Sequence, residues 1–418
     1  MRRRTLILVV HLVTAVLVAS SLGIYLLVKS GEDDDRVHEP ILIVADSYFT
    51  SENGVSSGTG TEADPFIIQD LIIEVPSDPG LQGQGIRVSY TTAHFIIRNV
   101  TIRPDCVGTE RSAAYPVGIF LNSAQNAVVE ACTIDDMAVG IEMAMASGTT
   151  IRDNTLTGCG IGAHSELSPS LGYQYGLLVT GNEFVNDTIG LHVYYSPWDL
   201  DVNENSFVDN GDPVIIEGCR GVAFAENEIS VTGASHQDMS GGPIFRYCHD
   251  LDVSSNTVTG VGRDGFSVEG SLGVVVSDNS AGCAGRCLVI SGSTEVNVTG
   301  NVLSSGLAGT WVQSSDDVEI TLNSLSGAYF SFVTISPDGT GGAVSVFHNR
   351  VEVLSVALVD DGQLDVSWDA GYPAGGNFWE GDIGSYILED LDEDGISDGP
   401  FYLDEDSVDR YPLMATPL

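Results

Sequence analysis

Val298-Thr299-Gly300-Asn301-Val302-Leu303 is a phrase to which the chain keeps returning. It recurs as Ile151-Arg152-Asp153-Asn154-Thr155-Leu156 and as Val179-Thr180-Gly181-Asn182-Glu183-Phe184. The same pattern surrounds Asn205, Asn227, Asn256, Asn279, Asn323 and Asn349. Successive asparagines lie 28, 23, 22, 29, 23, 22, 22 and 26 residues apart. A step of about 22 residues that lengthens but hardly shortens is a repeat carrying inserted loops. Each unit reads apolar-x-x-Asn-x-apolar, a turn, Gly-apolar-x-apolar and another turn. These segments alternate with a period of two and carry no helical stripe. The fold class is therefore all-β, and each unit is one three-strand coil of a right-handed parallel β-helix. Equivalent residues of successive coils then stack about 4.8 Å apart. Asparagine amides in such a column can bond one another, which accounts for the residue type.

The rest of the chain fits around this repeat. A solenoid grows by repetition, so 418 residues need not split into several domains. The formal net charge is −42, with 58 acidic against 16 basic side chains. Such a surface repels nucleic acid and anionic membranes. It suits high salt, divalent cations and neutral or cationic partners, or serves solubility alone.

Residues 1–30 hold an Arg2-Arg3-Arg4 cluster and then, over 5–28, 24 residues without a charge. That run is about 36 Å long as a helix, enough to span a bilayer. It is read as a single-pass signal-anchor with the arginines in the cytoplasm and the bulk of the chain outside the cell. Cleavage near Ala19-Ser20-Ser21 is the alternative. Residues 31–40 form a linker, 41–74 an N-terminal cap and first strand, 75–368 the β-helix, and 369–418 a C-terminal cap. A monomer is expected. Three glycosylation sequons, at Asn99, Asn186 and Asn297, agree with an outside location.

Cys219 and Cys248 each precede a repeat asparagine by eight residues and should stack in neighbouring coils. They form either a disulfide or two packed thiols. Cys132 takes a ladder position as core filler, and Cys283 and Cys287 share one coil.

The tail carries chemistry. In Asp390-x-Asp392-x-Asp394-Gly395-Ile396-x-Asp398, alternate carboxylates point at one centre and Gly395 permits a sharp turn. The Ile396 carbonyl and Asp398 complete the oxygen set of an EF-hand-type calcium loop. Its twelfth position is Phe401 rather than glutamate, so the bidentate ligand is missing unless Asp404 or Asp406 reaches in. A solvated acidic turn is the alternative. The Asn repeats, the Gly58-Thr59-Gly60-Thr61-Glu62-Ala63-Asp64-Pro65-Phe66 entry, Gly376-Asn377-Phe378-Trp379 and Asp409-Arg410-Tyr411-Pro412-Leu413 also belong to a pattern. Together with the Asp loop they resemble NosD-like β-helix surface proteins of archaeal type. The resemblance implies the fold and a cell-surface home, and no settled activity.

A second candidate is a face. Alternation sends two residues per coil outward in the Gly-apolar-x-apolar strand. One column reads Ala144, His164, Tyr194, Glu217, Arg246, Glu269, and the other Glu142, Gly162, His192, Ile215, which requires a one-residue shift at His192. Insertions over 104–117, 165–175, 195–200 and 232–242 flank this strand as groove walls. Tyr173, Tyr175, His192, Tyr194 and Trp198 would bind sugar rings. Glu217 and Glu269, with Arg246 and His164, could supply acid–base catalysis. An exposed ionic row is the bland reading of the same residues. The combined Asn-Thr-Asp, Asp-Asp and Gly-His-Gly set of polygalacturonases is absent, since neither Asn-Thr-Asp nor Gly-His-Gly occurs, and so is the Asp-Pro-His-Asp of alginate epimerases. Three functions therefore stand: a membrane-anchored carbohydrate- or surface-binding protein, a polysaccharide lyase, hydrolase or epimerase, and a cell-envelope spacer.

Overall fold

The computed structural model describes residues 36–76, 83–105, 116–166, 175–195, 198–232, 240–337, 339–354, 356–360, 363–381, 388–404 and 406–417. The expected membrane span, 5–28, lies outside them. Among the described residues no helix is long and apolar enough to cross a membrane. Residues 1–38 form one unit and 39–418 another. The second unit is a parallel β-helix.

Each coil visits three sheets in turn. Among the described residues the first sheet has thirteen strands, from Ile41–Ile43 to Val356–Asp360, and the second has fourteen, from Val55–Ser57 to Asp365–Ser367. The third runs through Ile72–Val75 and Ser206–Val208 to Phe378–Gly381. Pairing between coils is parallel and in register, as where Ser206, Phe207 and Val208 meet Glu228, Ile229 and Ser230. Only the entry hairpin, Val55–Ser57 on Phe66–Gln69, and the tail hairpin, Phe401–Tyr402 on Val408–Asp409, pair antiparallel among the named strands.

The core is a set of columns. In the second sheet Val129, Ile151, Val179, Val202, Phe224, Val253, Val276, Val298 and Ile320 stack in one line, all buried. Each such side chain contributes about 1.5–3 kcal/mol by leaving water. β-Branched residues suit a strand covered on its inner face. Small residues set how closely the third sheet meets the first. A Cβ on Gly140 would lie 2.5 Å from the Gly162 carbonyl oxygen and 2.6 Å from a Leu156 methyl. Only glycine lets the coils close there.

The asparagine column is an internal ladder at the turn between the second and third sheets. The Asn154 backbone N–H and side-chain amide both donate to Asn182 Oδ1, at 3.0 and 2.9 Å. The same pair of bonds repeats through Asn205, Asn227, Asn256, Asn279, Asn301, Asn323, Asn349 and Asn377. Each amide also reaches back one coil, as Asn182 does to the Ile151 carbonyl at 2.9 Å. Cys132 begins the column, donating its N–H to Asn154 Oδ1 at 2.9 Å. Asp409 ends it, accepting the Asn377 N–H and the Trp379 indole N–H, each at 2.8 Å.

Cys219 and Cys248 are buried and not joined in a disulfide, so the packed-thiol alternative describes them. Each bonds a backbone carbonyl, Cys219 that of Glu217 and Cys248 those of Arg246 and Ile216. Their column continues as Ser271, Ser293 and Ser315, whose hydroxyls accept backbone N–H groups from the coil before.

Candidate functional site

The outward side of the first sheet gathers the ionisable and aromatic residues. Register puts Glu142 opposite His164 and His164 opposite His192. The neighbouring column runs Ala144, Glu166, Tyr194, Glu217, Arg246, Glu269 and Ser291. This corrects the sequence reading in two places. His164 stands beside His192 and not in line with Tyr194, and no register shift is needed at His192. Glu166 takes the place expected for His164.

The two imidazoles lie 4.9 Å apart between centroids. His164 Nε2 is 3.7 Å from Glu166 and His192 Nε2 is 3.9 Å from Glu217. His164 Nδ1 is buried with no hydrogen-bond partner. Burial, helped by His164, holds the His192 imidazole below its ordinary proton affinity. Burial raises the Glu142 carboxyl, with His164 pulling the other way. Both shifts favour neutral forms in a half-covered site.

Arg246 does not sit evenly between the two glutamates. Its Nε donates to Glu269 at 2.9 Å, and the Ser267 hydroxyl donates to the same carboxylate at 3.1 Å. Glu217 turns to His192 instead. The expected acid–base pair is thus split, one carboxylate held by a guanidinium and the other facing an imidazole.

Tyr194 meets Tyr195 edge-on at 4.4 Å. Tyr195 and Tyr247, which sequence reasoning missed, are 45% and 61% exposed. Each ring packs against a glycine of the next coil. A Cβ on Gly218 would touch the Tyr195 ring at 2.5 Å, and one on Gly270 the Tyr247 ring at 2.7 Å. The signal was present as Tyr194-Tyr195, Glu217-Gly218, Arg246-Tyr247 and Glu269-Gly270, a Tyr–Gly alternation down one position of four successive coils. Trp198 starts a strand of the second sheet, opposite Tyr175, with the Arg220 guanidinium 5.0 Å from its ring. It therefore stands around the corner from the histidines. Tyr173 and much of the four insertions lie outside the described residues.

In the tail, Asp390, Asp392 and Asp394 bring carboxylate oxygens within 4.8 Å of one another. Asp390 accepts the Asp394 and Gly395 N–H groups at 3.1 and 3.0 Å, and Asp398 accepts that of Leu391 at 2.6 Å. These bonds curl the loop around its acids. Ile396 is buried and bridges Leu413, anchoring the loop to the tail. Desolvation and the charges of Asp394, Asp398 and Asp390 raise the Asp392 carboxyl. An exposed acid cluster of this kind can hold a metal ion, since hard cations take several oxygens. Phe401, at the twelfth position, is buried against Trp379 at 4.8 Å between centroids. Its place is filled for packing rather than ligation. Asp404 accepts the Asp406 and Ser407 N–H groups and so is committed to its own turn.

Residues 53–229 and 179–325 match the family described as the right handed beta helix region. No curated protein matches the sequence. Among solved structures the chain is similar to the periplasmic alginate epimerase AlgG, at 12% identity, with 76% of this chain and 85% of that one covered and a TM-score of 0.55. It also aligns with the AlgE4 A-module, a mannuronan C-5 epimerase of Azotobacter vinelandii, at 13% identity over 84% and 87% of the chains, TM-score 0.40. An exopolygalacturonase of Thermotoga maritima aligns at 9% identity over 79% and 78%, TM-score 0.38. At such identities the AlgG likeness shows a shared fold.

Proposed function

Since the chain belongs to the right-handed β-helix family, we propose that it binds an extended, non-acidic polysaccharide along the outward side of its first sheet. The observation that carries this reading is the pair of exposed rings over Gly218 and Gly270. Tyr195 and Tyr247 are two coils apart, about 9.6 Å, close to the repeat of two sugar units in an extended chain. Flat aromatic faces next to polar side chains are what sugar rings pack on. Glu166, Glu217 and Glu269 outnumber Arg246 along one column of this face, and the whole chain carries a net −42. Uronate chains are repelled by that charge, and neutral or amino-bearing sugars are not. The likeness to AlgG supports a polysaccharide partner through the shared fold alone.

The finer parts of the reading rest on sequence pattern. The 5–28 run supports an anchor in the cell membrane with residues after about 40 outside, and the tail motifs support a place among NosD-like surface proteins. The loop at Asp390, Asp392 and Asp394, with the Ile396 carbonyl and Asp398, is read as a calcium site of structural role. A catalytic reading has one observation in its favour. His192, its proton affinity lowered by burial, lies 6.1 Å from the Tyr194 ring, which in turn meets Tyr195, and so stands as a candidate base beside the aromatic face.

Binding to immobilised neutral, amino and uronic glycans, followed by product analysis, tests this. Retention on a non-acidic glycan is expected, weakened about tenfold by each of Tyr195→Ala and Tyr247→Ala. Preference for uronates, or retention indifferent to both variants, sinks the proposal. Release of shortened or epimerised product, lost in His192→Ala, would instead favour catalysis.

A further inference from the structure

We propose that Cys283 and Cys287 form a disulfide that staples the coil beyond Glu269. Their sulfurs lie 2.9 Å apart, inside ordinary van der Waals contact for two sulfur atoms. The pair spans the turn from the third sheet, where Ser280–Cys283 ends, into the first, where Arg286–Ser291 begins.

The surrounding coils show that this place is built. Along the third sheet the inward column reads Ile134, Leu156, Phe184, Phe207, Ile229, Val258, Ala281, Leu303, Leu325 and Val351. Ala281 is the one small residue in that run. In the first sheet, Cys287 takes a position that is glycine in most coils, including Gly140, Gly162 and Gly190. Gly309 faces it, since Arg286 and Leu288 pair with Ala308 and Thr310. At those glycines a side chain would strike the large third-sheet residue, as at Gly309, where a Cβ would lie 2.6 Å from a Leu325 methyl. The Cys287 sulfur lies 3.2 Å from the Ser304 carbonyl oxygen and 3.5 Å from that of Ala281, and it is turned to Cys283. Cys132, Cys159 and Cys248 are buried with their thiols on backbone carbonyls, and burial raises all three.

Exposure assigns the order of the chemistry. Cys283 is half-buried and Cys287 fully buried. Its hydrogen bond with Cys287 holds the Cys283 thiol below its ordinary value, and the same bond with burial pushes Cys287 up. With a small-molecule disulfide as oxidant, the Cys283 thiolate attacks one of its sulfurs and releases one thiolate. Cys287 then loses its proton and attacks the Cys283 sulfur, releasing the second thiolate. Two protein thiols are oxidised, and the reagent is reduced to two thiols that take up the two protons.

Arg286 lies between the two cysteines, which makes the link easy to see. The folded full chain is treated with glutathione disulfide, alkylated and cut with trypsin. Residues 264–286 and 287–350 should emerge joined, separate on reduction, and stay unjoined in Cys283→Ser. Seven cysteines should fall to five titratable thiols. Alkylated Cys283 and Cys287 after treatment, or glutathione left on Cys283 with Cys287 still a thiol, overturns the proposal. The wild-type map alone decides this should a Cys287→Ser chain fail to fold.

Discussion

Two buried side chains carry the sharpest consequences at the scale of single residues. Asn301 accepts two N–H bonds from Asn279, at 2.9 Å each, and donates to Asn323 and to the Val276 and Thr299 carbonyls. Asn301→Ala strands the Asn279 N–H and the Val276 carbonyl. Each buried group left without a partner costs about 1–3 kcal/mol, so a clear fall in the denaturation midpoint is expected. An unchanged midpoint would count against the ladder. Asp187 is the other case. Its Oδ1 accepts the Cys159 N–H at 2.6 Å while Oδ2 is buried without a partner. Burial pushes its carboxyl up from 3.8 to about 8. A raised carboxyl means that the folded chain keeps a proton that the unfolded chain has lost. Stability from this group is therefore present at low pH and declines as pH rises between about 4 and 8. The next coil puts Asn210 in the same column, its amide donating to the Phe184 carbonyl at 2.9 Å. Asp187→Asn should copy that arrangement and stabilise the fold by about 1–3 kcal/mol above pH 8. Its advantage should shrink toward pH 4, and a pH-independent difference between the two chains would defeat this account.

At the level of the element, the coil was legible because one turn tolerates so little. The asparagine must donate twice and accept twice in a dry column, so its identity survives where the strands around it vary. Cys132 at the column's start and Trp379 under the exit cap were also readable, since each sits at a known offset from an asparagine or a motif. The register of Ile161–Glu166 was not. Gly160-Ile161-Gly162-Ala163 offers two glycines, and either can mark the strand start. Stacking decides it, because Gly162 and not Gly160 lies in the close line with Gly140 and Gly190. Choosing the wrong one moves His164 by two residues and separates it from His192. Tyr195 and Tyr247 escaped for a related reason: their φ angles of 48° and 53° place them past the strand, where alternation no longer predicts direction. In the tail loop the acids were legible and the packing of Phe401 was not. Calcium should bind there with modest affinity, because the bidentate ligand is replaced by a core residue. Chelation, or Asp392→Ala with Asp394→Ala, should loosen residues after about 369 and leave the coils folded, as limited proteolysis would report. Calorimetry with no heat of binding at millimolar calcium would leave only an acidic turn.

For the whole molecule, charge and repetition set the behaviour. With 58 acids against 16 bases, self-repulsion opposes the folded state and is screened by salt. The denaturation midpoint should rise between low salt and about 0.15 M, and a flat or falling response would show that the acids are well separated or paired. Repetition has a subtler effect. Every bond between two ladder asparagines points the same way: backbone and amide donors of one coil face the side-chain oxygen of the next. A column of this kind is a vector. Its beginning asks for nothing, since the Cys132 N–H merely donates a hydrogen bond to Asn154, whereas its end always leaves one donor facing forward. Asp409 answers that donor. The vector has no preferred magnitude, so whole coils can be copied or deleted between Asn154 and Asn377 and the terminus will still read correctly. Such a chain can be lengthened by gene duplication as a sentence is lengthened by clauses, provided that the full stop is kept.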